Sequence, residues 1–112
     1  PDYISEFFNN DIVIENEDAR TIATAGNAGL VIKTFHKLLS SENPSNSDAY
    51  KALIEKTGAE AGEKGKNLYM PIRVATTGKA HGLELPILFN LLGQEKLKYR
   101  IAVICREIGL AL

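Results

Sequence analysis

Apolar residues in this chain recur at three-and-four spacing and hardly ever in strict alternation, which restricts it to amphipathic helices packed through one apolar stripe each. From about Asn27 to Leu39, the residues Val31, Phe35, Leu38 and Leu39 fall on one face of a helix. A turn-rich stretch, Ser40-Ser41-Glu42-Asn43-Pro44, ends it. Ser45 with Asp48 resembles a capping box for a second helix, with Tyr50, Leu53, Ile54 and Thr57 as its buried stripe and Gly58 as its left-handed stop. Ala59 to Lys66 reads as a linker or frayed turn.

Leu68, Ile72, Ala75 and Thr76 mark a third helix over Asn67 to Thr77, closed by Gly78. Pro71 complicates it: an interior proline costs about 3 kcal/mol, so the helix either begins near Met70, with Pro71 in its first turn, or is kinked there. After a loop from Gly78, a helix with Pro86 in its first turn carries Leu85, Leu88, Phe89 and Leu92 to a stop at Gly93. The last helix has the stripe Leu97, Ile101, Ile104, Cys105 and Ile108, with Lys96, Lys98, Arg100 and Arg106 outside it. Ile12-Val13-Ile14 has no partner strand in sight and reads as an extended connection, following a short segment around Asp2 to Phe8. The expected architecture is all-α, a helical bundle of about five to six short helices forming one folded unit over residues 1–112.

The formal net charge of −1 conceals a strong polarity along the chain. Residues 1–63 carry 5 Lys/Arg against 11 Asp/Glu, whereas residues 64–106 carry 8 against 2. The second half is suited to phosphate and the first to a scaffold, although solvated helix faces produce such asymmetry too. One cysteine, Cys105, rules out an internal disulfide framework and agrees with a reducing compartment. Neither a secretory leader nor a membrane-spanning run is expected from the pattern of apolar residues, and the cytoplasm is the expected location.

Leu68-Tyr69-Met70-Pro71-Ile72-Arg73-Val74-Ala75-Thr76-Thr77-Gly78-Lys79-Ala80-His81-Gly82, continued by Leu91-Leu92-Gly93-Gln94-Glu95-Lys96, is the most specific pattern present. It resembles the C-terminal anticodon-binding region of bacterial glutamyl-tRNA synthetases, in which a proline-apolar-arginine-x-alanine-x-threonine-glycine block leads through a short loop to a helix ending in leucine-leucine-glycine. The match spans Gly65 to about Arg100; the preceding part is similar only in pattern. The resemblance implies a fragment of a class I glutamate–tRNA ligase that binds tRNA(Glu), with tRNA(Gln) as a second candidate, in a monomeric enzyme. That enzyme's histidine-x-glycine-histidine motif and lysine-serine loop, with the ATP and magnesium they serve, would lie in a catalytic domain outside this chain. Ala80-His81-Gly82-Leu83 lacks the second histidine and Lys64-Gly65-Lys66 lacks the serine.

Arg73 is the leading candidate RNA contact, because a guanidinium offers forked planar donors and can stack on an unpaired base. The plainer alternative has it packing on its helix and pairing with Glu84. By resemblance, the loop assigns anticodon contacts to Lys79, His81, Gly82, Leu83 and Leu85, through backbone groups as much as side chains; the alternative is an ordinary helix–helix turn. Lys64, Lys66, Lys96 and Arg100 are candidate supporting phosphate contacts, or merely a solvated face. No metal site and no catalytic constellation is expected. Thr77-Gly78-Lys79-Ala80 fails as a phosphate-binding loop, since Arg73 stands where a glycine is needed and Ala80 where a hydroxyl is needed. Gly26-Asn27-Ala28-Gly29 follows no strand, which leaves a dinucleotide fingerprint unsupported. His36 reads as a surface histidine and Cys105 as a buried, inert thiol. Two functions of different class compete: an RNA-reading module, and a helical protein-docking module that uses the acidic half.

Overall fold

The computed structural model of the chain describes residues 12–112, so the segment expected around Asp2 to Phe8 lies outside the described residues. Among the described residues there are six helices and no strand: α1 (Glu17–Thr24), α2 (Ala28–Glu42), α3 (Ser47–Ala61), α4 (Lys66–Thr77), α5 (Leu85–Leu92) and α6 (Gln94–Ile108). The all-α expectation holds, and residues 12–15 run as an irregular connection. The helices wrap around α2 and α4, each of which packs on α1, on α6 and on the other. Val31, Ile32, Phe35 and Leu39 of α2 are fully buried, as are Ile72 and Val74 of α4. Phe89 of α5 packs between Phe35, at a ring separation of 5.5 Å, and Tyr50 of α3, edge-on at 5.8 Å, which joins three helices through one aromatic cluster.

Several local expectations need correction. Helix α1 is an addition to the helices expected from periodicity; its apolar face is only Ala19, Ala23 and part of Ile22, too small for a periodic signal. Its signal was instead the Asn16 cap, whose side chain accepts the Ala19 N–H at 2.9 Å, followed by Glu17 and Asp18 in the first turn. The cap of α3 is Asn46, not Ser45: Asn46 Oδ1 accepts the Ala49 N–H at 2.8 Å. Gly58 does not end α3, which continues to Ala61 and stops at Gly62 in the left-handed conformation. A Cβ on Gly58 would meet the Glu63 carbonyl and the Leu68 side chain at 2.7 Å, so this glycine lets the returning chain cross the helix closely. Helix α4 starts at Lys66, leaving Pro71 inside it rather than in its first turn. The proline strips the Asn67 carbonyl of its helical donor, a loss that is tolerable because Asn67 is exposed to water.

Gly78 closes α4 under two constraints at once. Its φ is +75°, and a Cβ there would overlap the Val13 carbonyl oxygen. Its own carbonyl accepts the Glu15 N–H at 2.9 Å, so the connection 12–15 is laid directly against the end of α4. Gly62 shares the left-handed conformation, with φ +73° and nothing near its missing Cβ. Gly62→Ala should therefore cost only the backbone penalty, about 1–2 kcal/mol. Gly78→Ala should cost clearly more, because the chain at Val13 must also move. Urea unfolding of the two variants checks this ordering, and equal losses would contradict the close approach.

Candidate functional site

The residues singled out in the sequence divide into three places. Arg73, on the last turns of α4, stands at the loop over residues 78–84 that joins α4 to α5. Its Nη1 donates to the Leu83 carbonyl at 2.9 Å, so the guanidinium reaches across and ties down the far end of that loop. Gly82, at φ +145°, has its missing Cβ 3.5 Å from the same nitrogen, which leaves the guanidinium lying against a bare stretch of backbone. This bond of the guanidinium therefore goes to backbone rather than to a side chain. Thr77 supports the near end of the loop, donating its hydroxyl to the Arg73 carbonyl at 2.7 Å and accepting the Lys79 N–H at 3.0 Å.

The structure brings Arg73, Lys79, His81, Gly82 and Leu83 together on this loop and its helix. His81 is exposed, with Nε2 3.5 Å from Glu15 Oε1, and Lys79 is half-buried. Leu83 is half-buried against the core. Leu85 requires correction as a side-chain contact: it is 1% exposed and belongs to the α5 core stripe, so only its backbone is left to meet a ligand.

Arg100 is the larger correction. It is 3% exposed, and its Nη1 donates to the Thr76 carbonyl at 3.1 Å, so it does not lie on a solvated face within reach of phosphate. Lys64 and Lys66 are exposed, but at the opposite end of α4, whose 12 residues span about 18 Å. Lys96 is half-buried on the first turn of α6. The candidate phosphate contacts therefore do not form a single patch with the loop.

Sequence reasoning passed over the groove beside Arg73. It encloses about 410 Å³ and is lined by Lys51, Tyr69, Arg73, Glu84, Pro86 and Ile87, among others. Tyr69 precedes Arg73 by one helical turn, a spacing that would have placed both on one face. Ile87 and Leu91, also one turn apart, are 46% and 57% exposed on the outer side of α5. Half-exposed aromatic and aliphatic surface, a guanidinium and glycine-bared backbone together offer stacking and hydrogen-bond donation. A larger cavity of about 590 Å³ lies away from the loop, between α1 and the start of α4, with Ile22, Ala28, Met70 and Pro71 in its lining.

No group of three His, Cys, Asp or Glu side chains among the described residues is arranged to hold a metal ion, and no helix there is long and apolar enough to cross a membrane. His36 is half-buried rather than fully on the surface; burial, with Lys98 adding to it, holds its pKa below the ordinary histidine value. Burial pushes the Cys105 thiol up to about 11, against a smaller opposing pull from Lys33. At pH 8 roughly one thiol in a thousand is then ionised. Alkylation by iodoacetamide should be slow in the folded protein and accelerate sharply in denaturant; equal rates would show the thiol to be accessible.

The family model described as an anticodon binding domain matches residues 1–105. The chain is 44% identical over its full 112 residues to a glutamate–tRNA ligase of Leptospira biflexa, of which it covers 22%. It is 37% identical over 100 residues, 89% of its length, to glutamate–tRNA ligase 1 of Caldicellulosiruptor saccharolyticus, covering 21% of that protein. With a glutamate–tRNA ligase of Exiguobacterium sibiricum the identity is 39% over 98 residues, which is 88% of this chain and 20% of that one. The chain thus spans about a fifth of the length of these relatives. No solved structure matches it.

Proposed function

Because this chain belongs to the anticodon-binding domain family, we propose that it recognises the anticodon of tRNA(Glu) as the C-terminal part of a glutamate–tRNA ligase. The observation that carries this reading is the agreement between the family match over residues 1–105 and a loop that Arg73 fastens by bonding the backbone of Leu83. Bases of an anticodon are unpaired and can be splayed from their stack, and recognition of them relies on aromatic or guanidinium platforms with hydrogen bonds to base edges. Tyr69, Arg73 and the backbone around Gly82 supply those elements within one groove and its adjoining loop. Lys79 favours a polyanion at the same edge, where the exposed His81 offers a ring nitrogen, and Lys64 and Lys66 act at a distance along α4.

The ligation step, with ATP and magnesium, belongs in this reading to the remainder of a monomeric, cytoplasmic enzyme. Recognition here contributes specificity through remote binding energy: contacts far from the reacting atoms favour productive placement of the acceptor end of the cognate tRNA.

In the full ligase, Arg73→Ala should weaken tRNA(Glu) binding by about 1–3 kcal/mol, through loss of its own contact and of the loop it holds. Lys37→Ala, which removes only an exposed ion pair with Glu60, should leave binding unchanged. Titration at fixed moderate salt with tRNA(Glu), an anticodon-substituted tRNA(Glu) and tRNA(Gln) measures both affinity and preference. Equal affinity for the natural and substituted anticodons in the unmodified enzyme would defeat the reading and favour a protein-docking role.

A further inference from the structure

Arg100 was expected to meet phosphate from outside, and its burial requires another role. It lies on α6, three residues after Leu97 and four before Ile104, and so shares the stripe that packs on α4. The Thr76 carbonyl that it bonds is among the last four of α4. Those carbonyls have no donor within the helix and carry the negative end of its dipole, so a buried guanidinium is well matched to the position. The same turn holds the loop. The Thr76 hydroxyl donates to the Ile72 carbonyl at 2.8 Å, and the neighbouring Thr77 hydroxyl donates to the carbonyl of Arg73 at 2.7 Å. Arg73 in turn donates to Leu83 at 2.9 Å. The turn that Arg100 fixes is therefore the turn from which Arg73 extends and on which the near end of the loop is fastened.

We propose that Arg100 is a positioning residue for anticodon recognition: without touching RNA, it holds the C-terminal turn of α4 so that Arg73 and the loop over residues 78–84 keep their reading geometry. This rests on the anticodon reading given above. A guanidinium is suited to the task because it stays charged when buried and its planar donors have fixed directions, whereas an ammonium supplies one compact charge.

Direct and indirect roles differ in their salt signature. A side chain that neutralises a phosphate adds about one unit to the slope of log affinity against log salt, and its removal takes that unit away. A buried positioning residue leaves the slope alone. In the full ligase, Arg100→Met should reduce the preference for the natural over an anticodon-substituted tRNA(Glu), taken as the ratio of kcat/KM values, by at least tenfold. The salt slope should stay at the unmodified value, and Arg100→Lys should recover part of the preference. A slope reduced by about one, or an unchanged preference, overturns the proposal.

Where Arg100→Met does not fold, hydrogen exchange in Arg100→Lys decides. Amides over residues 79–85 should exchange at least threefold faster than in the unmodified enzyme, with α2 amides unaffected; unchanged loop exchange overturns the proposal. If the unmodified enzyme shows no anticodon preference, the recognition reading fails on its own, while the exchange measurement still reports whether Arg100 holds the loop.

Discussion

At the C-terminal turn of α4, the Thr76 carbonyl is bonded by a buried guanidinium from α6, the Gly78 carbonyl accepts the N–H of Glu15, and the bare face of Gly78 receives the Val13 carbonyl. A helix end normally leaves carbonyls for water. Here much of that hydration has been replaced by contacts from two other parts of the chain. The arrangement fastens the connection before α1 and the last helix to one turn, and the loop over residues 78–84 leaves from that turn. Its starting point is thereby set by the core rather than by its own residues.

Burying a guanidinium costs several kcal/mol unless its hydrogen bonds are satisfied in a favourable field. The end of α4 supplies part of that compensation, through the Thr76 carbonyl and its partial negative charge. This explains how one helix combines a proline in its interior with a well-defined end: the Asn67 carbonyl freed by Pro71 lies on an exposed residue, where water can reach it, while the turn at Thr76 is held by a charged donor. The first turn of α4 is exposed at Lys66 and Asn67, and its last turn leads into the loop beside Arg73.

Much of this fold was legible because periodicity is a property of large apolar residues. The stripes of α2, α3, α5 and α6 are buried as their spacing predicts, apart from a half-exposed Ile108. Helix α1 was not legible in the same way, since its face is built mainly from alanines and its evidence was the Asn16 cap with its acidic first turn. Gly58 and Gly62 both read as helix stops, and sequence does not say which one instead admits a crossing chain. Arg100 sets two signals against each other: its spacing from Leu97 and Ile104 puts it on the buried stripe, whereas its charge points to a solvated face. Arg73 and the loop were found from the motif, whereas their joining through the Leu83 backbone is a tertiary contact that no local pattern encodes.

In the proposed anticodon recognition, the loop between α4 and α5 lies against the anticodon when tRNA is bound. Replacing the exposed His81 with a photo-crosslinking residue in the full ligase, irradiating the complex with tRNA(Glu) and mapping the attached nucleotides tests it directly. Attachment confined to the anticodon loop and suppressed by excess unlabelled tRNA(Glu) is expected. Attachment mapping to the acceptor stem, or none above that of an unrelated tRNA, would contradict it.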